Sequence, residues 1–367
     1  MNILFNVPIN RVSFGQVSIC LLREAMNRGD KVHIIPIGGV DFSSLPALGA
    51  DEFKIWINAC IKDTQDNLDS SARGIKLWHL ATPDEGSAGS RGAYDKFTDK
   101  TTFVSFYELD SPTSLELNVS RQFDMVFTSR FTCEVFKAAG ANVRYVPLGF
   151  DAANFKVTNK KYFSDDRIVF SILGKFENRK HHQKMIGAWV KRFGNDKKYY
   201  LQCAVYNPFF NHQMNQNLLI GAMGGKHFWN VNPVNWVPTN EAYNDFLNSN
   251  NIVLAMSGGE GWGLPEFHSV ALGKHAVVLN AHSYKDWATD DNSVLIPPFD
   301  KISSVDGVFF RKGAPYNQGN IFSWDEDLFI AGCESVIERY KSNPINKAGL
   351  KLQQDFTYEK TYTALTQ

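Results

Sequence analysis

Residues 256–280, MSGGEGWGLPEFHSVALGKHAVVLN, constrain the fold of this chain more than any other stretch. An apolar strand candidate at residues 251–256 leads into a glycine-rich turn, then a helical pattern that begins at Pro265, then a second apolar run at 276–279. This order is typical of a parallel α/β sheet that binds its ligand at the carboxyl ends of the strands. Pro265 suits the first helical position, because its missing N–H would have no helical partner there. The free N–H groups and dipole of that helix favour an anion at its start.

Length and charge predict two domains and a neutral surface. The chain has 367 residues, of which 44% are hydrophobic and 21% charged, and its formal net charge is zero. A chain of this length buries more than one hydrophobic core. Zero net charge argues against nucleic acid or anionic lipid as a general partner, although Arg11, Arg73 and Arg91 leave a local basic patch open.

Cysteine usage and the apolar runs indicate the compartment. The five cysteines are scattered and form no CxxC pair, which favours a reduced protein. Residues 1–12 show neither a charged leader nor a small-residue cleavage site, and no apolar run approaches the ~18 residues of a membrane span. We therefore expect a cytoplasmic protein without a transmembrane segment.

Hydrophobic periodicity divides the chain into two successive series of strands and helices. The first series has expected strands at 2–9, 32–37, 75–80, 102–107, 124–128 and 143–147, and helices at 16–27 and 129–139. The second has strands at 167–173, 199–205, 235–238, 251–256 and 276–279, and helices at 182–193, 241–248, from 265, 325–341 and 345–363. Polar residues 82–91 are expected to form a functional loop, and residues 297–320 a further loop.

The two series predict two doubly wound, Rossmann-like α/β domains that face each other across a cleft. The charged segment 156–166 marks their boundary. The expected division is an N-terminal domain at 1–158, a C-terminal domain at 159–340, and a C-terminal helix at 341–367 that returns to the N-terminal domain.

The central stretch resembles the signature of the retaining glycosyltransferases of the GT-B fold, within the family 4 group (glycosyl transferases group 1). The family's E, G, F/Y, G, L, P run matches residues 260–265, with Trp262 in the aromatic place. The family's second Glu, eight positions after the first, falls on His268. Gly174, Lys175 and Lys180 match its G, R, x4, K pattern, with Lys175 in place of arginine.

Further segments resemble the same family in order and spacing. Residues 107–112, YELDSP, are similar to the W/Y, E, x, D, x, P run of one branch, and Gly15 with its following helix is similar to the N-terminal glycine loop. The family's run that ends in VPNGVD and F is matched by Ser129, Phe136, Gly140, Val146, Pro147, Gly149, Asp151 and Phe155. Together these matches cover about residues 2–290.

The resemblance implies transfer of a hexose from a nucleotide-diphosphate sugar to a hydroxyl acceptor on a glycan, lipid or small molecule. The configuration of the sugar is retained, and a phosphate oxygen of the leaving group takes the acceptor's proton while the protein supplies positioning and electrostatics. No metal cofactor is expected, because no Asp-x-Asp triad is placed to hold one. Two alternatives stay open: the acceptor is a hydroxylated base in DNA, or the protein binds a nucleotide sugar without catalysis.

Three cations near the second series are the expected diphosphate ligands. Lys175 and Lys180 lie five residues apart at a strand-to-helix junction, with Arg179 beside them. Fixed cations stabilise the negative charge that grows on a leaving diphosphate, whereas by itself the pattern also fits two solvated lysines. The resemblance makes Glu260 the residue that contacts the donor sugar or its reacting face.

The remaining expected contacts of the donor lie among residues 262–268 of the central stretch. The backbone amides of Trp262, Gly263 and Leu264 are expected to meet the sugar and phosphates, because glycine lets the backbone approach a ligand closely. His268 is either a ribose contact or a buried structural histidine. Glu266 does not replace it, because two residues along a helix turn roughly 200°.

In the N-terminal domain the expected catalytic residue is Glu108, which joins Glu260 and Lys180. Glu108 either polarises the acceptor hydroxyl as a base or binds the donor. Gly15 is a phosphate-loop residue or a turn glycine. His79 is read as a packed histidine at a strand end.

Overall fold

A computed structural model describes residues 1–46, 49–80, 95–235 and 237–367 of the chain. The described chain divides into two compact units. The first contains Met1–Asp151, Gly307–Gly319 and Phe356–Gln367, and the second contains Ala152–Asp306 and Asn320–Asp355. The chain therefore changes units at Asp151, before the predicted boundary at residue 158, and returns to the first unit twice.

The first unit is an α/β sandwich around a parallel sheet. Its strands are β1 Asn2–Val7, β2 Lys31–Pro36, β3 Arg73–Leu77, β4 Thr101–Ser105, β5 Asp124–Phe127 and β6 Val143–Tyr145, and its helices include α1 Ser13–Asn27, α2 Asp51–Asn67, α3 Ser114–Ser120 and α4 Arg130–Ala138. Within the described residues the strand order is β2-β1-β3-β4-β5-β6, and every pair is parallel. Strands such as β1 are almost wholly buried, as expected for a parallel sheet covered on both faces.

The second unit repeats this architecture. Its strands are β7 Ile168–Leu173, β8 Tyr199–Ala204, β9 Val231–Pro233, β10 Ile252–Ala255, β11 His275–Leu279, β12 Val294–Ile296, β13 Asp300–Ser303 and β14 Asn320–Ser323. Its helices are α5 His182–Phe193, α6 His212–Ala222, α7 Asn240–Ser249, α8 Leu264–Ala271, α9 Glu326–Ser342, α10 Lys347–Leu350 and α11 Leu352–Asp355. In the described part of this unit, parallel strands follow the order β12-β11-β10-β7-β8-β9, and β13 and β14 form an antiparallel hairpin.

The last helix, α12 Tyr358–Thr366, belongs to the first unit and packs beside α1. The backbone approaches it closely at Gly149, where a Cβ would lie 2.2 Å from the Tyr358 nitrogen. Thr361 Oγ1 donates a hydrogen bond of 2.8 Å to the Pro147 carbonyl in the same region. The segment that follows β6 is thus held directly against the end of the chain.

Several predicted elements are corrected by the structure. The strand predicted at 235–238 is wrong: the strand in this region is β9, and the described residues among 235–238 have no strand structure. The loop predicted at 297–320 contains β13 and begins β14, and the helix predicted at 345–363 is broken into α10, α11 and α12. The predicted loop around Gly15 is instead the first turn of α1, which starts at Ser13.

Two sequence expectations have other outcomes. The polar loop at 82–91 lies outside the described residues. Among the residues that are described, no helix is both long and apolar enough to cross a membrane.

Candidate functional site

The loops after β7 and β10 meet at the point where the strand order of the second sheet reverses. β7 pairs with β10 on one side and with β8 on the other, so consecutive connections leave in opposite directions from this place. Such a switch point leaves a crevice at the carboxyl ends of the strands, where ligands bind in doubly wound folds. Residues 174–180, which end in a short 3₁₀ helix Asn178–Lys180, and residues 256–263 line it.

Glu260 lies at the centre of this junction. Its carboxylate is buried, and Oε1 forms ion pairs with Arg179 Nη1 at 3.0 Å and with the Lys180 ammonium. Arg179 and Lys180 are each about as buried as Glu260. The structure therefore brings together three of the predicted site residues from two separate loops.

The two loops are also joined through their backbones. The Gly258 N–H donates to the Arg179 carbonyl at 2.7 Å, and Arg179 Nη1 donates to the Gly259 carbonyl at 2.6 Å. Ser257 Oγ contacts both of these carbonyls, at 3.3 and 3.1 Å. These bonds hold the Glu260 carboxylate and its cations in one fixed arrangement.

Glu177 extends the charged cluster toward solvent. This buried carboxylate forms ion pairs with Arg179 Nε at 3.1 Å and with Lys175 Nζ at 2.8 Å. The Lys175 side chain is 39% exposed and its ammonium lies 5.3 Å from the centre of the Phe209 ring. Lys175 is thus the solvent-facing member of the three predicted cations.

Mutual electrostatics keep the cluster ionised. Burial alone raises the pKa of Glu260, but Arg179 and Lys180 outweigh it and hold that pKa well below the usual range. For Lys180, burial alone lowers the pKa, while Glu260 and Glu266 outweigh it and raise that pKa. The pKa of Glu177 is likewise lowered, because Arg179 and Lys175 outweigh its burial. The cluster carries fixed charges suited to a charged ligand.

Helix α8 begins at the same junction with a left-handed turn. Its N-cap, Gly263, has φ of 81°, and a Cβ there would lie 2.4 Å from Tyr284 Cε1. Leu264 is the first helical residue and Pro265 the second, one position later than predicted. Only glycine adopts this left-handed turn in so narrow a space.

Trp262 contributes to this turn through its backbone and its packing. Its side chain is buried and its ring lies 5.3 Å from that of Phe267. The Trp262 carbonyl accepts a hydrogen bond from Trp287 Nε1 at 3.1 Å. The aromatic position of the motif therefore anchors the loop to the core of the unit.

His268 and Glu266 take different places on α8. His268 is buried, with its ring 4.5 Å from that of Phe155 and 5.7 Å from that of Phe267. This packing is what a structural histidine would make, and a ribose contact stays a prediction. Glu266, which the sequence reasoning set aside, is buried close enough to Lys180 and Glu260 to feel both charges.

Three buried histidines form hydrogen bonds with residues in or next to the two site loops. His282 Nε2 lies 2.7 Å from the Ser257 carbonyl, and His182 Nε2 lies 3.1 Å from the Leu173 carbonyl. His181 Nδ1 accepts a hydrogen bond from Trp324 Nε1 at 2.9 Å. Burial lowers the pKa of His181 and His282 to about 4 and that of His182 to about 3, so all three are neutral near pH 7.

The remaining predicted residues belong to the first unit. Gly15 lies in α1, where a Cβ would be 2.2 Å from the Asn10 carbonyl oxygen, so its small size allows residues 9–12 to pack on the helix. Glu108 is half-buried in the segment after β4. His79 is exposed just beyond β3, with its ring 4.5 Å from that of Phe14.

The arginines weighed as a nucleic-acid patch are spread over different environments. Arg11 is exposed, and Arg73 is half-buried with Nη2 3.5 Å from Thr102 Oγ1. Arg91 lies outside the described residues. In the described ranges, His, Cys, Asp and Glu side chains form no group of three placed to hold a metal ion.

Comparison with known proteins identifies the fold. No protein-family model matches the chain, and no curated protein matches it. Solved structures do match along almost the whole length. Sucrose-phosphate synthase from Thermosynechococcus elongatus has a TM-score of 0.65 at 12% identity, with 99% of this chain and 96% of that chain covered.

Two further matches have the same character. HepE from Anabaena, solved with UDP and glucose, has a TM-score of 0.61 at 13% identity, with 99% and 98% of the two chains covered. A glycosyltransferase from Rickettsia africae has a TM-score of 0.63 at 13% identity, with 99% and 96% covered. At these identities the likeness shows the fold alone: the chain has the GT-B glycosyltransferase fold, as the motifs predicted.

Proposed function

We propose that this protein is a glycosyltransferase that binds a nucleotide-diphosphate sugar in its second unit and transfers the hexose to a hydroxyl acceptor. The observation that carries the proposal is the buried Glu260 carboxylate, paired with Arg179 and Lys180 at the switch point of the sheet. HepE, which has the same fold, was solved with UDP and glucose. The diphosphate of a nucleotide sugar has the negative charge that the cations of this cluster would bind.

The cluster supplies the electrostatics that the reaction needs. Lys175, Arg179 and Lys180 carry three positive charges against the two carboxylates Glu177 and Glu260. The surplus cation and the N–H groups at the start of α8 would balance a diphosphate that gains negative charge as the glycosidic bond breaks. We propose on this basis that transfer needs no metal ion.

Glu260 is proposed to act on the sugar. An ionised carboxylate accepts hydrogen bonds from sugar hydroxyls and stabilises positive charge on the reacting ring. We further propose that the acceptor oxygen attacks the face from which the diphosphate leaves, and that a phosphate oxygen of the leaving group takes the proton. This course retains the configuration of the anomeric carbon. Glu108 in the first unit is proposed to polarise the acceptor hydroxyl.

A thermal-shift panel of UDP, GDP, ADP, CDP and TDP tests the donor site. A nucleotide present at 100 times its Kd adds about 2.7 kcal/mol to the free energy of unfolding. One nucleotide is expected to raise the melting temperature of the wild type, and less so that of Lys180→Met. The exposed-site variant Glu134→Gln serves as the control. Failure of all five nucleotides to shift the wild type would refute the donor site.

A turnover assay separates the enzyme from a non-catalytic binder. Hydrolysis of the corresponding nucleotide sugar is followed for the wild type and for Glu260→Gln, with and without a metal chelator. We expect the wild type to release sugar of retained configuration despite the chelator, and the variant to be slower by at least about 100-fold, as when one electrostatic group of an active site is removed. Nucleotide binding with no hydrolysis or transfer would favour a binding protein instead.

A further inference from the structure

Glu266 is a second buried carboxylate at the site. It is 3% exposed, and the Tyr284 side chain is its neighbour within hydrogen-bonding reach, although neither its Oε2 nor the Tyr284 hydroxyl makes a hydrogen bond of normal geometry to the described residues. This oxygen lies close to the left-handed turn at the start of α8: a Cβ built on Gly263 would be 3.4 Å from it. A buried carboxylate oxygen without a hydrogen bond of normal geometry calls for a chemical explanation when it lies in a functional site.

The groups around Glu266 come from several elements. Lys180 and Arg179 act on it from the 3₁₀ helix Asn178–Lys180, and Glu260 from the loop after β10. Tyr284 interacts with it from a second 3₁₀ helix, His282–Asp286, and Tyr243 from α7. Burial raises the pKa of Glu266, Lys180 lowers it and Glu260 raises it, with a net increase. A carboxyl in this environment holds its proton at pH values where an exposed glutamate is ionised.

The protonation state of Glu266 decides how much positive charge the site offers. With Glu266 ionised, Glu260 and Glu266 together cancel the charges of Arg179 and Lys180. With Glu266 protonated, these four groups keep one net positive charge. A diphosphate that arrives beside them repels an ionised Glu266, so its binding favours the protonated form.

We propose that Glu266 is a positioning residue that takes up a proton when the nucleotide diphosphate binds, which leaves Lys180 and Arg179 to act on the phosphates. The inference rests on the proposed function, because the incoming anion is the diphosphate of the donor. It also assigns a role to the carboxyl at position 266 in a motif whose second glutamate is replaced by His268. Glu266 acts through the charge of its neighbours and not as a substitute ribose ligand.

The test is calorimetric titration with UDP from about pH 6 to 8, in pairs of buffers with different ionisation enthalpies. Wild type, Glu266→Gln and the exposed control Glu134→Gln are compared. Proton uptake by UDP itself is common to all three, so only the difference is interpreted. Above the pKa of Glu266, the wild-type Kd should rise up to about tenfold per pH unit relative to Glu266→Gln. Glu134→Gln should follow the wild type.

The outcomes separate the two proposals. If UDP binds but wild type and Glu266→Gln take up the same number of protons, the role of Glu266 is refuted while the donor site stands. Weak UDP binding by a folded Glu266→Gln at every pH also refutes it, because the neutral amide should suffice. If Glu266→Gln does not fold, infrared difference spectra of the wild type decide: a protonated carboxyl band must appear on UDP addition, and its absence overturns the proposal. No binding by UDP, GDP, ADP, CDP or TDP removes the donor site first.

Discussion

Lys180 and Glu260 form an ion pair whose two members are almost completely removed from water. Attraction between buried charges offsets their loss of hydration only while both are present, and removal of one partner costs about 3–5 kcal/mol. Arg179 Nη1 remains 3.0 Å from the same carboxylate oxygen and moderates that loss. The pair therefore links the stability of the second unit to its proposed binding function.

Lys180→Met separates these two roles. We expect it to lower the free energy of unfolding of the second unit by about 3 kcal/mol, because Glu260 loses one buried partner. The double variant Lys180→Met/Glu260→Gln, which neutralises both groups, should recover part of this stability but none of the affinity for UDP. Urea unfolding and UDP titration measure the two quantities. A double variant as unstable as the single one would show that charge imbalance is not the cause.

Gly263 is the residue whose substitution should disturb the α8 turn most directly. A side chain at left-handed φ costs about 1–2 kcal/mol, and a Cβ 2.4 Å from Tyr284 Cε1 must displace a fully buried ring. Gly225 in the same unit has φ of 73° with nothing within 4 Å of a Cβ, so Gly225→Ala is the matched control. We expect Gly263→Ala to lose about 1–3 kcal/mol more than the control in chemical denaturation. Equal losses would mean that Tyr284 moves aside at little cost.

The sequence could predict which loops form the site but not every residue in it. Glu260 and Lys180 could be assigned to neighbouring loops of one site, because loops that follow parallel strands meet at one sheet edge, but their ion pair was not predicted. Glu177 and Glu266 were missed, because the direction of a side chain depends on packing that no spacing reveals. Two positions along a helix separate Glu266 from His268 by roughly 200°, and this difference in direction places Glu266 near Lys180 and Glu260.

The helices and strands differ in how well they could be predicted from the sequence. α5 matches its predicted bounds, because its buried residues recur at helical spacing. α2 was not predicted, since few of its positions are buried, among them Phe53 and Ile57, and its apolar pattern is weak. α6 was missed for the same reason, with Leu219 and Ala222 as its buried residues. β9 is three residues long, which is too short to show the alternation of apolar and polar residues that predicts a strand.

Helix α12 completes the first unit through one aromatic residue in particular. Tyr362 is fully buried, its ring lies 6.4 Å from that of Phe5, and its hydroxyl donates to Asp30 Oδ2 at 2.6 Å. Tyr362→Ala should lower the free energy of unfolding of the first unit by about 3–5 kcal/mol, as for other large buried rings. Tyr362→Phe, the matched control, removes only the hydroxyl and its bond to the Asp30 carboxylate, and should cost about 1.5–3 kcal/mol. Similar losses in both variants would assign the anchoring to the hydrogen bond and not to the ring.

The molecule as a whole has zero net charge, so its pH dependence arises from particular buried groups and not from general repulsion. In the second unit, His181, His182 and His282 are buried and neutral, with pKa values of about 4, 3 and 4. In the unfolded chain their pKa is about 6.5. For each of these histidines the unfolded state binds more protons than the folded state between these values, so the contribution of each to stability falls as the pH falls. Glu266 acts in the opposite sense, because burial raises its pKa to about 7 and the folded state takes up its proton first.

These pKa values predict how the free energy of unfolding changes with pH below about pH 6.5, the part of the stability curve called the acid limb here. Each buried histidine should cost the second unit about 2 kcal/mol between about pH 6.5 and pH 5, and the proton that Glu266 takes up in the folded state should offset part of this loss. His182→Gln should make this limb shallower by one proton, whereas His212→Gln, on the exposed surface of α6, should leave it unchanged. Urea unfolding at each pH is followed by tryptophan fluorescence, to which Trp189, Trp287 and Trp324 of the second unit and Trp56 and Trp78 of the first unit contribute. An acid limb of equal slope in wild type and His182→Gln would show that the imidazole of His182 does not resist protonation in the folded unit.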